Sequence, residues 1–191
     1  MTSTTVLDRS AHDRKSFSCG VPELDAYLKT RAAQDMKARA SVCWVLPTTD
    51  DDGRHDTHGE PSPIIGYYTL SNLGVLLEGL PDEVAKRLPK YPQIGATLIG
   101  RLAVDEKHRG RGWGEILLMD ALKRCLHVSR LTGSAFVVVD AKNEGVASFY
   151  EKFGFQRFPN QLDRLFMPVK VISEIFKDGS AHEISYTNRT G

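Results

Sequence analysis

Six residues, Arg109-Gly110-Arg111-Gly112-Trp113-Gly114, have the composition of an anion cradle. They follow the mainly apolar segment Arg101-Leu102-Ala103-Val104-Asp105 and open a long amphipathic stretch. A strand, a glycine-rich turn and a helix in that order leave backbone N–H groups unpaired at the positive end of a helix dipole. Glycine allows close backbone approach and positive φ. The chemistry implied is capture of a phosphate or pyrophosphate. Two phosphate motifs are excluded. There is no GxxxxGK(S/T), and Gly110, Gly112 and Gly114 miss the GxGxxG frame because Glu115 stands where the last glycine is needed.

Tyr150, in Phe149-Tyr150-Glu151-Lys152-Phe153-Gly154-Phe155, is the candidate for proton chemistry. Val146, Phe149 and Phe153 fall on one helical face and are expected in the core, with Tyr150 at the edge of that face. From spacing alone, Tyr150 is either a packed aromatic with an exposed hydroxyl or a positioned donor. Cys19, Cys43 and Cys125 are far apart and form no CxxC pair, so reduced thiols are expected, with Cys125 in a core. His55-Asp56-Thr57-His58 lacks metal-ligand spacing and rigid support, so a solvated loop and no metal are expected.

These groups need a scaffold, and the chain is long enough to supply one. Its 191 residues are 41% hydrophobic and 26% charged, the profile of a soluble globular protein with a sizeable core. No apolar run reaches the roughly 20 residues that span a bilayer. Met1 to Ser10 lacks the apolar stretch of a signal peptide. A cytoplasmic protein is therefore expected. The net charge of +1 predicts no polyanion partner by itself, but its distribution is uneven. Pro47 to Pro63 holds Asp50, Asp51, Asp52, Asp56 and Glu60 against Arg54 alone, so the rest of the chain is net basic.

Periodicity and turn residues order the elements. Helices are expected over Phe17 to Lys37, Leu80 to Leu88 (ended by Pro89), Gly112 to Arg130, Asn143 to Phe153 (stopped by Gly154) and Val169 to Phe176. Strands are expected over Ser41 to Leu46, Ile64 to Ser71, Ala96 to Val104, Ala135 to Val139 and Leu165 to Met167. The continuous apolar run Ala135-Phe136-Val137-Val138-Val139 marks a strand buried on both faces. A mobile acidic loop is expected at about 47–63 and a polar C-terminal tail at about 177–191. With no internal repeat and no second core, residues 1–191 read as one mixed α/β domain.

Arg109, Gly112 and Gly114 match the (Q/R)xxGx(G/A) signature, and the chain resembles the GNAT superfamily of N-acetyltransferases. That resemblance implies a central, mostly antiparallel sheet with a splayed parallel pair, flanked by helices. It implies acetyl-CoA as co-substrate, with pyrophosphate on the turn at Arg109, Gly110, Arg111, Gly112, Trp113 and Gly114. The pantetheine arm would lie along Leu102, Ala103 and Val104, with Asn143 as a polar contact. Tyr150 would stand near the thioester sulfur, and the Val104 amide would face the oxyanion. A tyrosine of pKa about 10 is a poor acid toward a thiolate whose thiol has pKa near 8.5. Hydrogen-bond donation with late proton transfer is therefore expected, which a nearby cation would assist.

Phe17-Ser18-Cys19-Gly20, Leu24-Asp25-Ala26-Tyr27-Leu28, Gly66-Tyr67-Tyr68-Thr69-Leu70-Ser71, Leu88-Pro89-Lys90-Tyr91-Pro92, Gly100 to Asp105 and Val139-Asp140-Ala141-Lys142 narrow the resemblance. Together they are similar to the GNAT toxins of bacterial toxin–antitoxin pairs. Such a toxin acetylates the α-amine of aminoacyl-tRNA and blocks translation, and its partner is a ribbon-helix-helix antitoxin. Lys86, Arg87 and Lys90 would then contact tRNA phosphates, or else form an ordinary solvated helix face. The acidic insertion departs from the pattern and must lie off any tRNA face. Two rivals stay open: a GNAT enzyme acting on a small amine or protein N-terminus, and a non-catalytic acetyl-CoA sensor. A homodimer is also left open.

Overall fold

β-branched and aromatic residues build a long sheet, and glycine and proline positions decide where each element stops. The computed structural model describes residues 3–48 and 60–179. The strands are β1 (Thr5–Val6), β2 (His12–Asp13), β3 (Val42–Pro47), β4 (Ser62–Leu76), β5 (Gln93–Val104), β6 (Phe136–Asp140), β7 (Gln156–Phe158) and β8 (Gln161–Pro168). The helices are α1 (Pro22–Ala26), α2 (Ala32–Lys37), α3 (Asp82–Ala85), α4 (Trp113–Thr132), α5 (Glu144–Lys152) and α6 (Val169–Gly179). A π-helical turn, Tyr27–Arg31, joins α1 to α2.

The sheet runs β1-β3-β4-β5-β6-β8-β7, with β2 pairing β4 off that path. β5 and β6 are parallel, while the other neighbours along the path pair antiparallel. Leu117, Leu118, Ala121, Leu122 and Cys125 of α4 pack on one face against Tyr68, Ile99, Val137 and Val139. The opposite face is covered by Tyr27, Leu28 and Ala32, which pack with Phe17 on Cys43, Val45, Tyr67 and Ala103. Phe136 and Val138 face a third cluster containing Val75, Ile94 and Phe166. β6 is thus buried on both faces, as its unbroken apolar run implies.

Several boundaries differ from the sequence expectation. The first helix begins at Pro22 rather than Phe17, because Phe17 to Gly20 is held in a non-helical path that docks on the glycine-rich turn. The helix expected over Leu80 to Leu88 shrinks to the single turn α3, and a separate 3-10 turn, Leu77–Gly79, precedes it. Pro81 forces Leu80 into extended backbone, with φ −89° and ψ 154°, and Pro89 blocks continuation at the other end. β4 is longer than Ile64 to Ser71, and β1, β2 and β7 are too short to leave a periodic signature. Of the expected acidic loop, Pro47 belongs to β3 and Ser62 and Pro63 to β4. Residues 49–59, with His55, His58 and four of the acids, lie outside the described residues. Lys177 lies within α6, and the expected tail beyond 179 lies outside them too. Among the described residues, no helix is long and apolar enough to cross a membrane.

Candidate active site

The site begins where two parallel strands part. β5 pairs with β6 only over Ala96–Ile99 against Phe136–Val139. The register against β4 then shifts, so that Leu70 faces Ile99 and Thr69 faces Arg101, which leaves Gly100 as a bulge. Beyond it β5 follows β4 alone, while β6 runs on with β8 to Asp140. A V opens between the C-terminal ends of the two strands. The Asp105 N–H donates to the Ile65 carbonyl at 2.8 Å. By the alternation of an antiparallel ladder, Ala103 then points its backbone at β4, while Leu102 and Val104 point theirs into the V. Ala103 is also turned away by its side chain, which is 5% exposed in the α1–α2 core.

The glycine-rich turn closes one end of the V. Gly112 caps α4 with φ +78°, a conformation that a Cβ strains. Its carbonyl accepts from Glu115 and Ile116. The amides of Gly110, Arg111, Gly112, Trp113 and Gly114 have no acceptor among the described residues. Five consecutive donors without acceptors at the N-terminus of a 20-residue helix, where the helix dipole is positive, are the groups that could hold an anion. A Cβ at Gly114 would lie 3.9 Å from Phe149 and 4.0 Å from Val104, both ordinary contact distances, so the start of α4 sits beside both α5 and β5. Gly66 permits the close seating of α4, because a Cβ there would come within 2.6 Å of Leu117 and 2.7 Å of the Ala103 carbonyl.

The turn is clamped to the segment before α1. The buried Asp105 carboxylate accepts from Ser18 N–H at 2.9 Å and Lys107 N–H at 3.0 Å. Glu106 N–H donates to the Ser18 carbonyl at 2.8 Å, and the Arg109 guanidinium donates to the Cys19 carbonyl. The Arg109 side chain therefore braces the loop, whereas Arg111 is exposed and without an ion pair among the described residues. The Trp113 ring packs on the α4-side core, and its Nε1–H is buried without an acceptor.

Tyr150 lies on the other wall. It is 5% exposed and more deeply placed than Phe149, which reverses the expected order of the two. Its ring meets Phe149 at 5.2 Å and Phe155 at 5.3 Å. Burial raises the pKa of its hydroxyl above the ordinary 10, and the Asp140 charge adds to the rise. No described cation opposes that shift, so Tyr150 keeps its proton throughout the physiological range. Asp140 is itself paired with Arg164, at 2.6 and 2.9 Å. Asn143 caps α5, its Oδ1 accepting from Val146 N–H at 3.0 Å. Lys86, Arg87 and Lys90 are exposed at the far end of the β4–β5 hairpin, away from this V, with Lys86 paired to Glu83 at 3.0 Å.

A free-amide turn, an open strand edge and a buried tyrosine thus gather where β5 and β6 part. The acetyltransferase (GNAT) family model matches residues 11–155. The chain belongs to the GNAT acetyltransferase family. A tRNA-acetylating toxin of Mycobacterium tuberculosis is 34% identical over 160 residues, covering 84% of this chain and 88% of that protein. A probable toxin TacT of Sinorhizobium fredii is 29% identical over 176 residues, covering 88% and 92%. Among solved structures, AtaT complexed with acetyl-methionyl-tRNAfMet superposes with a TM-score of 0.79 at 26% identity, covering 92% of this chain and 99% of that one. The same fold is seen in AtaTR with acetyl-CoA, and in an AtaT variant bound to the C-terminus of the antitoxin AtaR.

Sequence reasoning missed three contributors to this GNAT cleft. Gly100 makes the bulge, and an isolated glycine within a strand pattern is the signal that was available. Gly66 and the Ser18–Cys19 clamp act across large sequence separations and leave no local signature. All three cysteines are free and buried, with the Cys19 thiol pushed up to about 11 and Cys43 and Cys125 to about 12 by burial.

Proposed function

We propose that this GNAT chain acetylates the α-amine of aminoacyl-tRNA in the cytoplasm, blocks translation, and is held in check by a ribbon-helix-helix antitoxin. The observation that carries the reading is the five-amide turn opening onto the Leu102–Val104 edge beside Tyr150, in a chain 34% identical to a tRNA-acetylating toxin. Solved relatives bound to acetyl-CoA, to an acetylated aminoacyl-tRNA and to an antitoxin C-terminus support the co-substrate, the acceptor and an antitoxin partner.

The residues present fit acetyl-CoA. Gly110 to Gly114 would hold the pyrophosphate through their amides, with Arg111 adding charge. Leu102 and Val104 would pair with an extended arm, as a strand edge does. When bound, acetyl-CoA supplies the activated acyl group. The chain's part is to orient it, to offer the Val104 N–H where negative charge develops, and to hold a proton on Tyr150 Oη. An α-amine has a pKa of about 7.7–8.0, so a useful fraction is neutral at cytoplasmic pH and no strong base is required.

The test is incubation with bulk charged tRNA and labelled acetyl-CoA. Label appearing on the aminoacyl end, with affinity that falls steeply with salt, is expected. Changing Lys86, Arg87 and Lys90 to Ala should raise KM for charged tRNA, flatten the salt slope and leave acetyl-CoA affinity alone. Efficient acetylation of a free amine or peptide, with tRNA unlabelled, rejects the toxin reading and leaves the general acetyltransferase.

A further inference from the structure

The two walls of the V are tied together at one point. The segment that enters α1 is fixed to the end of β5, because the Asp105 carboxylate accepts from Ser18 N–H and Glu106 N–H donates to the Ser18 carbonyl. Lys142 lies two residues beyond β6, on the other wall. Its Nζ donates to Glu23 Oε2 in the first turn of α1. Among the described residues this is the one side-chain hydrogen bond or ion pair that joins α1 to the segment after β6. Leu24 of α1 packs on the face of the sheet opposite α4, whose N-terminus carries the free amides. An arm held by those amides enters the V from the α4 face. A group that meets it from the other face passes Glu23 and Lys142.

This bridge is easily opened. Lys142 is 52% exposed and Glu23 77% exposed, and an ion pair in that much water contributes little to stability. The bond to Lys142 holds the Glu23 carboxyl below its usual range, so Glu23 is charged at neutral pH. The two acids nearest Lys142 in sequence are engaged elsewhere, Asp140 by Arg164 and Glu144 by Arg157. Asn143 is also committed, with its Oδ1 capping α5. Lys142 thus has Glu23 as its one partner and is free to exchange it for another anion.

We propose that Lys142 is a specificity residue: it binds the phosphodiester nearest the acyl-accepting end of the tRNA, and Glu23 holds it in place until that phosphate displaces the carboxylate. The inference rests on aminoacyl-tRNA as the acceptor. A lysine ammonium takes a phosphate in place of a carboxylate with no change in its own charge. The exchange also discriminates among acceptors. An amine without a phosphate has nothing to offer Lys142, so the bridge stays closed across its path, and selection comes from the unfavourable contact as well as the favourable one.

The test is steady-state acetylation of bulk charged tRNA by the full chain, with acetyl-CoA affinity and melting temperature measured beside it. Lys142→Gln should raise KM for charged tRNA by about three- to tenfold and lower the salt slope by about one contact. Glu23→Gln should lower that KM by about two- to fivefold, since no carboxylate then has to be displaced. A mere strut, broken from either end, would move KM the same way in both variants. In the Lys142→Gln background, Glu23→Gln should have no effect, whereas a diffuse field of charge would give the same gain in both backgrounds. Acetyl-CoA affinity and melting temperature should stay close to wild type throughout. Shifts of the same sign, or additive effects in the double variant, would overturn the proposal. So would a loss of acetyl-CoA affinity in Lys142→Gln, which would assign Lys142 to the cofactor. A wild-type chain that leaves charged tRNA unlabelled rejects the acceptor itself, and this inference with it. Labelled tRNA with KM unchanged in the variants rejects this inference alone.

Discussion

The Arg109 guanidinium donates to the Cys19 carbonyl, tying the glycine-rich turn to the segment that enters α1. A guanidinium–carbonyl bond is worth about 1.5–3 kcal/mol when shielded, and this side chain is 55% exposed, so the lower part of that range applies. Arg109→Ala should therefore weaken acetyl-CoA binding by roughly tenfold, and Arg109→Lys should recover part of the loss. Titration calorimetry reads both. Unchanged affinity in Arg109→Ala would show that the turn holds its shape without this brace.

The two glycines of the turn should respond with opposite signs. Gly112→Val places a β-branched residue at φ +78°, and stability should drop by about 1–2 kcal/mol together with acetyl-CoA affinity. Gly114→Ala replaces glycine within a helix and should leave stability unchanged or raise it by up to about 1 kcal/mol. Its Cβ would make only ordinary contacts, 3.9 Å from Phe149 and 4.0 Å from Val104, and the family signature admits alanine at this place, so acetyl-CoA affinity should stay close to wild type. Thermal melts paired with binding titrations separate the two effects.

Tyr150→Phe keeps the packed ring and removes only the hydroxyl. Acetyl-CoA affinity and melting temperature should stay close to wild type, while kcat falls by about 10²–10⁴-fold. Wild-type turnover in this variant would make Tyr150 a packing residue alone.

The pH profile follows from the same residue. A proton donor works only while protonated, and the Tyr150 pKa lies above 10, so no alkaline loss from this group is expected below pH 10. On the acid side, kcat/KM should climb about tenfold per unit up to the α-amine pKa near 7.7–8.0 and then level. A rate that falls between pH 8 and 10 in the folded enzyme would contradict the placement of Tyr150.

Stability should decline at alkaline pH for a separate reason. The Cys43 and Cys125 thiols rise from 9.0 to about 12 on folding. The folded state thus keeps protons that the unfolded state releases, so the stabilisation is complete below pH 9.0 and is lost as pH rises from there toward 12. Each thiol contributes a slope of up to about 1.4 kcal/mol per pH unit in that window. Urea melts at pH 8, 9 and 10 would show the midpoint moving down, less steeply in Cys43→Ser/Cys125→Ala.

What the amino-acid order determined by itself was local. The unpaired amides of the turn follow from Gly110, Gly112 and Gly114 between a strand and a helix, because helix ends and positive φ are set within a few residues. The all-apolar run of β6 announced burial on both faces in the same way. Proline was the exception among local signals, since Pro81 and Pro89 together left only one turn of the helix expected between them. Tertiary structure alone decided how the cleft is walled. The Gly100 bulge sets which backbone groups of Leu102 and Val104 face the V, while a strand pattern fixes only that side chains alternate. Tyr150 and Phe149 are neighbours on one helix, and which of them is buried depends on where α5 meets Asp140 and Phe155, contacts that packing alone determines. The bridge between Glu23 and Lys142 likewise spans a long separation in sequence, and no periodicity links residues whose only relation is that the fold brings them together.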